Sequence, residues 1–132
     1  MSVPRERPED LARWIEKAGH DLKAAEHTME LAEEGLTDIV CFHAQQCAEK
    51  CLKALLLYRG VAFPRTHDLR LLMDLIPPEA ALGVPREQVI PLNRYAVEGR
   101  YPGDWEPITV AEAQRAVETA QAIRQAVLRQ LP

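Results

Sequence analysis

The chain has 132 residues, 27% of them charged and 47% hydrophobic, which suits one folded domain around one core and excludes a disordered polar chain. A formal charge of −4 argues against a general coat for nucleic acid and leaves room only for a local basic patch. No apolar run approaches the roughly 18–20 residues of a membrane span, and the opening MSVPRERPEDL has no apolar signal core, so a cytoplasmic location without membrane contact is expected.

Residues 1–7 are polar and are expected to fray. Pro8 suits a first helical position, with Glu9 and Asp10 in the first turn. Leu11, Trp14, Ile15, Ala18, Leu22, Ala25, Met29 and Ala32 then recur at helical spacing. This amphipathic helix should end near Glu34, with Gly35 as its stop. Gly19 inside it costs about 1 kcal/mol relative to Ala and suggests that a neighbouring backbone approaches there. His20 and His27 fall on the wetter side and read as solvated.

A short turn leads to the stretch Asp38 to Arg59, DIVCFHAQQCAEKCLKALLLYR, which holds no Pro or Gly and reads as a second, central helix. The short connection makes these two helices antiparallel neighbours. Val40, Ala44, Cys47, Ala48, Cys51, Ala54, Leu55 and Tyr58 fall on one broad apolar arc. His43, Gln46, Lys50 and Lys53 fall on a second arc, flanked by Glu49. Leu55 to Tyr58 are apolar all round, so that end should be buried.

Gly60 to Arg65 reads as a loop, broken by Pro64. Thr66 is placed to cap a third helix, with Asp68 in its first turn and Leu69, Leu72, Met73 and Ile76 as its stripe. Pro77-Pro78 ends it. Pro85 to Val97 reads as a fourth helix, kinked by Pro91. GRYPGDWEP, Gly99 to Pro107, is a loop. Thr109 and Glu112 make a capping-box pattern for a last helix striped by Val110, Ala113, Val117, Ala120, Ile123 and Val127. No useful period-two segment appears. The fold class is all-α, an up-and-down bundle of about five helices in one domain over residues 1–132.

Phosphate-loop, dinucleotide, zinc-protease and serine-hydrolase motifs are all missing. The three cysteines, Cys41, Cys47 and Cys51, lie in the central helix, two of them on its apolar arc, and read as buried, reduced small hydrophobes. One helix face gives Cys47 and Cys51 no relaxed disulfide geometry. A His43/Cys47/Cys51 line lacks a fourth ligand for zinc, so neither metal nor cofactor is expected.

Four polar groups carry the functional question. The line His43, Gln46, Lys50, Lys53 is either a solvated face with a Glu49–Lys53 pair, or a polar groove or two-fold interface. His67-Asp68 either serves the third helix's N-terminus or joins a site. Arg94, Arg100 and Tyr101 either hold a phosphate through paired guanidinium donors or form salt bridges to Glu98, Asp104 or Glu106. Trp105 either anchors its loop or stacks on a base.

HAQQCAEKCLKALLLYRG in the central helix, THDL after it, NRYAVEGRYP before the last helix and AGHDLKAAEHTM in the first together resemble the HEPN domain family. The resemblance covers nearly the whole chain and rests on four motifs in order. It implies a small helical bundle that pairs into a homodimer. It also implies a small nucleotidyltransferase partner in a toxin–antitoxin-like pair, or else a metal-independent RNase. The RNase branch uses Arg, four to six residues, then His, two such motifs meeting across the dimer to cut RNA through the ribose 2′-hydroxyl. Arg94 matches the Arg, but no His follows His67. The chain looks closer to the stand-alone group with an RYP motif, here Arg100-Tyr101-Pro102.

The expected site is therefore one polar region that takes a nucleotide or RNA phosphate, built from Lys50, Lys53, His67, Asp68, Arg94, Arg100 and Tyr101. Two rivals stand beside it. One is an RNase whose catalytic group has moved to His43 or His67. The other is a purely structural dimer.

Overall fold

A computed structural model describes residues 7–96 and 106–132. Pro8 opens a 3-10 turn, Pro8–Asp10, where its missing N–H leaves no bond unmade. α1 (Leu11–Met29) continues from it and stops short of Glu34. A second 3-10 turn, Ala32–Glu34, completes the segment, and Gly35 follows at φ 90°. That left-handed backbone is cheap only for glycine, so the stop falls where expected although the last turn is not α-helical. α2 (Thr37–Tyr58), α3 (Leu69–Leu75), α4 (Arg86–Val89) and α5 (Val110–Gln130) complete the helices. The described residues form an all-α bundle of five helices and include no strand.

Two local expectations are corrected. Thr66 does not cap α3. The cap is Asp68, whose carboxylate accepts the Arg70 amide at 3.0 Å, while the Thr66 hydroxyl accepts the Asp68 amide at 3.0 Å. The expected fourth helix over Pro85 to Val97 keeps only four α-helical residues. Pro91 cannot donate to the ladder, and the backbone tightens into a 3-10 segment, Ile90–Tyr95, before Ala96 turns extended.

α2 packs most extensively against α1 and α5. Its apolar arc is fully buried at Val40, Ala44, Cys47, Ala48, Cys51, Ala54 and Leu55. Ala18 and Ala25 face the core from α1, and Ala113, Val117, Ala120, Ile123 and Val127 from α5. Leu52, Leu55, Leu56, Leu69 and Leu72 are its largest fully buried aliphatic side chains, each contributing about 1.5–3 kcal/mol by burial. Tyr58 breaks the expectation of all-round burial: it ends α2 at 44% exposure, where the chain turns away through Gly60. At Gly19 the neighbour is a side chain, not a backbone. A Cβ there would lie 3.1 Å from Nη2 of Arg124, whose guanidinium crosses the notch from α5. His20 and His27 are exposed, as their helix face required.

All three cysteines are free and buried. A hydrogen bond with Cys51, reinforced by burial, pushes the Cys47 thiol far up. Burial, with the charge of Glu112 behind it, pushes Cys41 up to about 11 from an ordinary 9.0. A thiol that holds its proton longer when folded stabilises the fold below its unfolded pKa and loses that contribution as pH rises through its folded one. The melting temperature should therefore stay level up to pH 9 and fall between 9 and 11, less steeply in Cys41→Ala. Thermal scans across that range check this, and an alkaline limb unchanged in Cys41→Ala would contradict it.

Candidate functional site

α2 sets the site because one turn repeats about every 3.6 residues. His43 and Lys50, two turns apart, therefore share a side, and one carboxylate from the neighbouring helix reaches both. Asp21 of α1 accepts from His43 Nδ1 at 2.9 Å through Oδ1 and from Lys50 Nζ at 2.5 Å through Oδ2. The Asp21 side chain is 12% exposed, His43 30% and Lys50 23%. Because Asp21 holds Nδ1 as the donor, an imidazole in its neutral form leaves the lone pair of Nε2 free to take a proton.

Farther along α2, Glu49 gathers a second group. Its Oε1 accepts from His67 Nδ1 at 2.9 Å and Gln45 Nε2 at 3.2 Å, and its Oε2 accepts from Lys53 Nζ at 3.0 Å. Gln45 also donates to the His67 carbonyl at 3.3 Å and accepts from Gln46 at 2.7 Å. Lys53 Nζ sits 5.5 Å from the centroid of the Trp14 ring. The Glu49–Lys53 pair is thus no solvated couple: Glu49 is 3% and Lys53 7% exposed. Burying such a pair is costly unless its remaining lone pairs are satisfied, and His67 and Gln45 satisfy them.

The remaining candidates have structural partners. Asp68 caps α3 and accepts from Asn93 Nδ2 at 2.9 Å, while Asn93 Oδ1 accepts the Leu69 amide at 2.8 Å. This ties the 3-10 segment to the start of α3. Arg94 Nη1 donates to Glu112 Oε2 at 2.8 Å, and its guanidinium lies 5.6 Å from the Tyr95 ring centroid. The Tyr95 hydroxyl donates to the same Glu112 oxygen. Burial first, and that hydrogen bond second, hold the Tyr95 phenol well above its ordinary range. Among the described residues the counter-charge of Arg94 is therefore Glu112, not Glu106, while Glu98 and Asp104 lie outside them. Only half of the expected capping box forms: Thr109 accepts the Glu112 amide at 3.0 Å, but the Glu112 carboxylate serves Arg94 and Tyr95 instead. Arg100, Tyr101 and Trp105 lie outside the described residues.

Lys53 and His67 thus converge on Glu49, Lys50 and His43 on Asp21, and Arg94 belongs to a separate cluster with Glu112. Sequence reading gave no role to Asp21, Gln45 or Asn93, and gave Glu112 only a place in the capping box of the last helix. Asp21 had a signal, since it lies three residues from Ala18 and four from Ala25 on the buried stripe, where a carboxylate needs a partner. Among the described residues no three His, Cys, Asp or Glu side chains are grouped to hold a metal ion. Each of the two carboxylates on the α2 face instead holds one histidine and one lysine. An oriented imidazole beside a cation can move a proton and offset negative charge.

The family model for the HEPN domain matches residues 11–131. The chain belongs to the HEPN domain family. Its fold superposes on the crystal structure of TT1696 from Thermus thermophilus with a TM-score of 0.75 at 32% identity, over 92% of this chain and 98% of that one. ST0689, an archaeal HEPN homologue, gives a TM-score of 0.67 at 29% identity, over 96% and 98%. No curated protein matches the chain. In this HEPN domain the buried Glu49 is the member of the polar face whose loss is costliest. Glu49→Ala strands Lys53 beneath Trp14 and should destabilise the fold by about 3 kcal/mol or more, read as a lower urea midpoint at unchanged slope. Glu49→Gln, which keeps the side-chain volume and one acceptor oxygen for His67 and Gln45 but sets an amide NH2 against Lys53, should cost less, and equal losses in the two variants would contradict this account.

Proposed function

We propose that this HEPN domain is a phosphate-binding module that works as a homodimer. It takes a nucleotide or an RNA phosphate on its polar face and acts beside a small nucleotidyltransferase, as a toxin–antitoxin-like pair. The partner, the pairing and the dimer are carried by family membership. The ligand half rests chiefly on the Asp21–Lys50–His43 group. Lys50 commits one donor to Asp21, and an ammonium has three, so a partly exposed Lys50 has donors to offer. In this reading Lys53 and His67 fix Glu49 and shape the face, and Asp68 orients the segment that carries Arg94. Arg94, 40% exposed on its side chain, adds a guanidinium with donors beyond the one on Glu112. Arg100 and Tyr101 are assigned to the same site.

Calorimetric titration with nucleotides and with short RNA tests the ligand half. Lys50→Ala should weaken binding about tenfold, in keeping with loss of one charged contact. Absence of binding by both ligand classes would overturn it. Sedimentation at micromolar protein tests the dimer, which a species of 14.9 kDa would contradict. Co-expression with a small nucleotidyltransferase encoded beside it tests the pairing.

One observation favours a second reading, a metal-independent RNase. His43 is oriented by Asp21 in the way a general base is held by a carboxylate. Nε2 would take the proton of a ribose 2′-hydroxyl, whose oxygen attacks phosphorus as the bond from phosphorus to the 5′-oxygen breaks, and the 5′-oxygen would leave with a proton from solvent. Cleavage in EDTA that yields 2′,3′-cyclic ends and disappears in His43→Ala would establish it. Cleavage surviving in the His43→Ala, His67→Ala double variant would exclude both histidines.

A further inference from the structure

We infer that the pocket beside Trp14 is a subsite for one nucleoside phosphate, with the base against the indole and the phosphate on Arg13, Lys17 and Lys50. This rests on the phosphate-binding reading above and gives it a place. The cavity, about 260 Å³, is lined by Asp10, Arg13, Trp14, Lys17 and Lys50. Its wall is one face of α1, at spacings of three and four, closed by Lys50 from α2.

The first argument is charge. Three cations line the cavity against one carboxylate, in a chain whose formal charge is −4. Asp10 is already engaged, accepting the Arg7 amide at 3.3 Å and lying 3.6 Å from Arg7 Nε. Arg13 and Lys17 are exposed, and neither makes an ion pair or hydrogen bond among the described residues. They stand four apart on one helix face, a like-charge arrangement that disfavours the helix by roughly 0.2–0.5 kcal/mol. The residue that would relieve Lys17 is Asp21, four positions on, but Asp21 turns to His43 and Lys50. The fold thus commits Asp21 to α2 and leaves Arg13 and Lys17 without an ion pair among the described residues. A bound dianion would supply the missing charge.

The second argument is the ring. Trp14 is only half-buried, although its place in the stripe made it a core residue. Lys53, itself buried on Glu49, holds an ammonium near the ring centroid and restrains it. A restrained indole with part of its surface open to a cavity suits a flat heterocycle, since every base has a π-face. The volume is below the roughly 300–1,000 Å³ of drug-sized pockets, so it takes one base and leaves neighbouring nucleotides of a strand outside. Lys50 lines the pocket and also binds Asp21, so a phosphate held here lies one carboxylate away from His43.

The test uses the whole chain with Trp105→Phe, so that Trp14 alone emits, titrated with adenosine monophosphate, adenosine, inorganic phosphate and a short oligoadenylate. Adenosine monophosphate should quench Trp14 saturably, and adenosine or phosphate alone should bind at least about tenfold more weakly. Arg13→Gln with Lys17→Gln, both exposed positions, should weaken adenosine monophosphate binding about tenfold by calorimetry in the otherwise unaltered chain. If phosphate binds as tightly as the nucleotide, the indole has no part and the subsite is wrong. If the double variant binds like the parent and Trp14 emission does not move, the subsite is wrong although the phosphate-binding reading stands. If neither nucleotide nor oligoadenylate binds the parent chain, both fall. An oligoadenylate that binds more tightly with a steep salt dependence assigns the subsite to RNA, and equal affinities assign it to a free nucleotide. Either outcome supports the subsite.

Discussion

A buried carboxylate decides how this bundle is put together. Glu49 sits on the central helix with almost no solvent, and an ionised carboxylate in that position is tolerable only if donors surround it. Lys53 is supplied by the same helix one turn on, but His67 comes from the segment before α3, and Gln45 binds both Glu49 and the His67 carbonyl. The lead-in to α3 is thereby pinned against α2 before α3 begins. Asp68, next in the chain, then caps α3 and takes Asn93, which draws in the 3-10 segment that ends at Tyr95. Tyr95 and Arg94 in turn meet Glu112 at the start of α5. Three polar clusters in series thus link α2, α3, the 3-10 segment and α5, each placing the backbone from which the next partner projects.

Asp21 plays the corresponding part between α1 and α2, with a different consequence. Because it faces α2, it bridges His43 and Lys50 and is withdrawn from its own helix surface. A helix with Lys17 and Asp21 four apart would ordinarily pair them on its exposed face. The interhelical bond is worth more, since the pair is partly desolvated and the carboxylate meets two donors. Charge is therefore distributed unevenly: acid inside the α1–α2 seam, base on its rim. A chain that is acidic overall acquires a basic edge through where its carboxylates are engaged.

The helices were legible from sequence because the apolar stripes of α1, α2 and α5 repeat cleanly and because Gly35 and Thr109 mark an end and a start by local chemistry that tertiary packing does not override. α4 was less legible. Pro91 signalled a kink, but whether the chain bends or tightens into a 3-10 segment depends on what packs against it. The candidate site was half legible. His43, Lys50 and Lys53 share an arc that periodicity reveals, and His67 stands out as one of four histidines. The acceptor of His43 and Lys50 did not stand out. Helical spacing shows which residues share a face, but not which residue of another helix will meet them, and so Asp21 and Glu112 were invisible as partners. The same limit explains why Glu49–Lys53 looked solvated: an i, i+4 pair reads the same whether water or Trp14 lies above it.

The two histidine–carboxylate–lysine groups differ in a way that bears on what the face can do. Glu49 is sealed, its lysine is buried, and its histidine links two chain segments. Removing Glu49 or Lys53 leaves a buried charge without its counter-charge, which is the behaviour of a structural joint. Asp21 is nearly as covered, yet its lysine and histidine both keep part of their surface in water. A ligand can therefore exchange contacts with Lys50 or His43 without opening the core, but it cannot do so with Lys53. Sequence spacing makes Lys50 and Lys53 look equivalent, three residues apart on one polar line. Burial separates them, and chemistry on this face belongs to the Asp21 group while the Glu49 group holds it in shape.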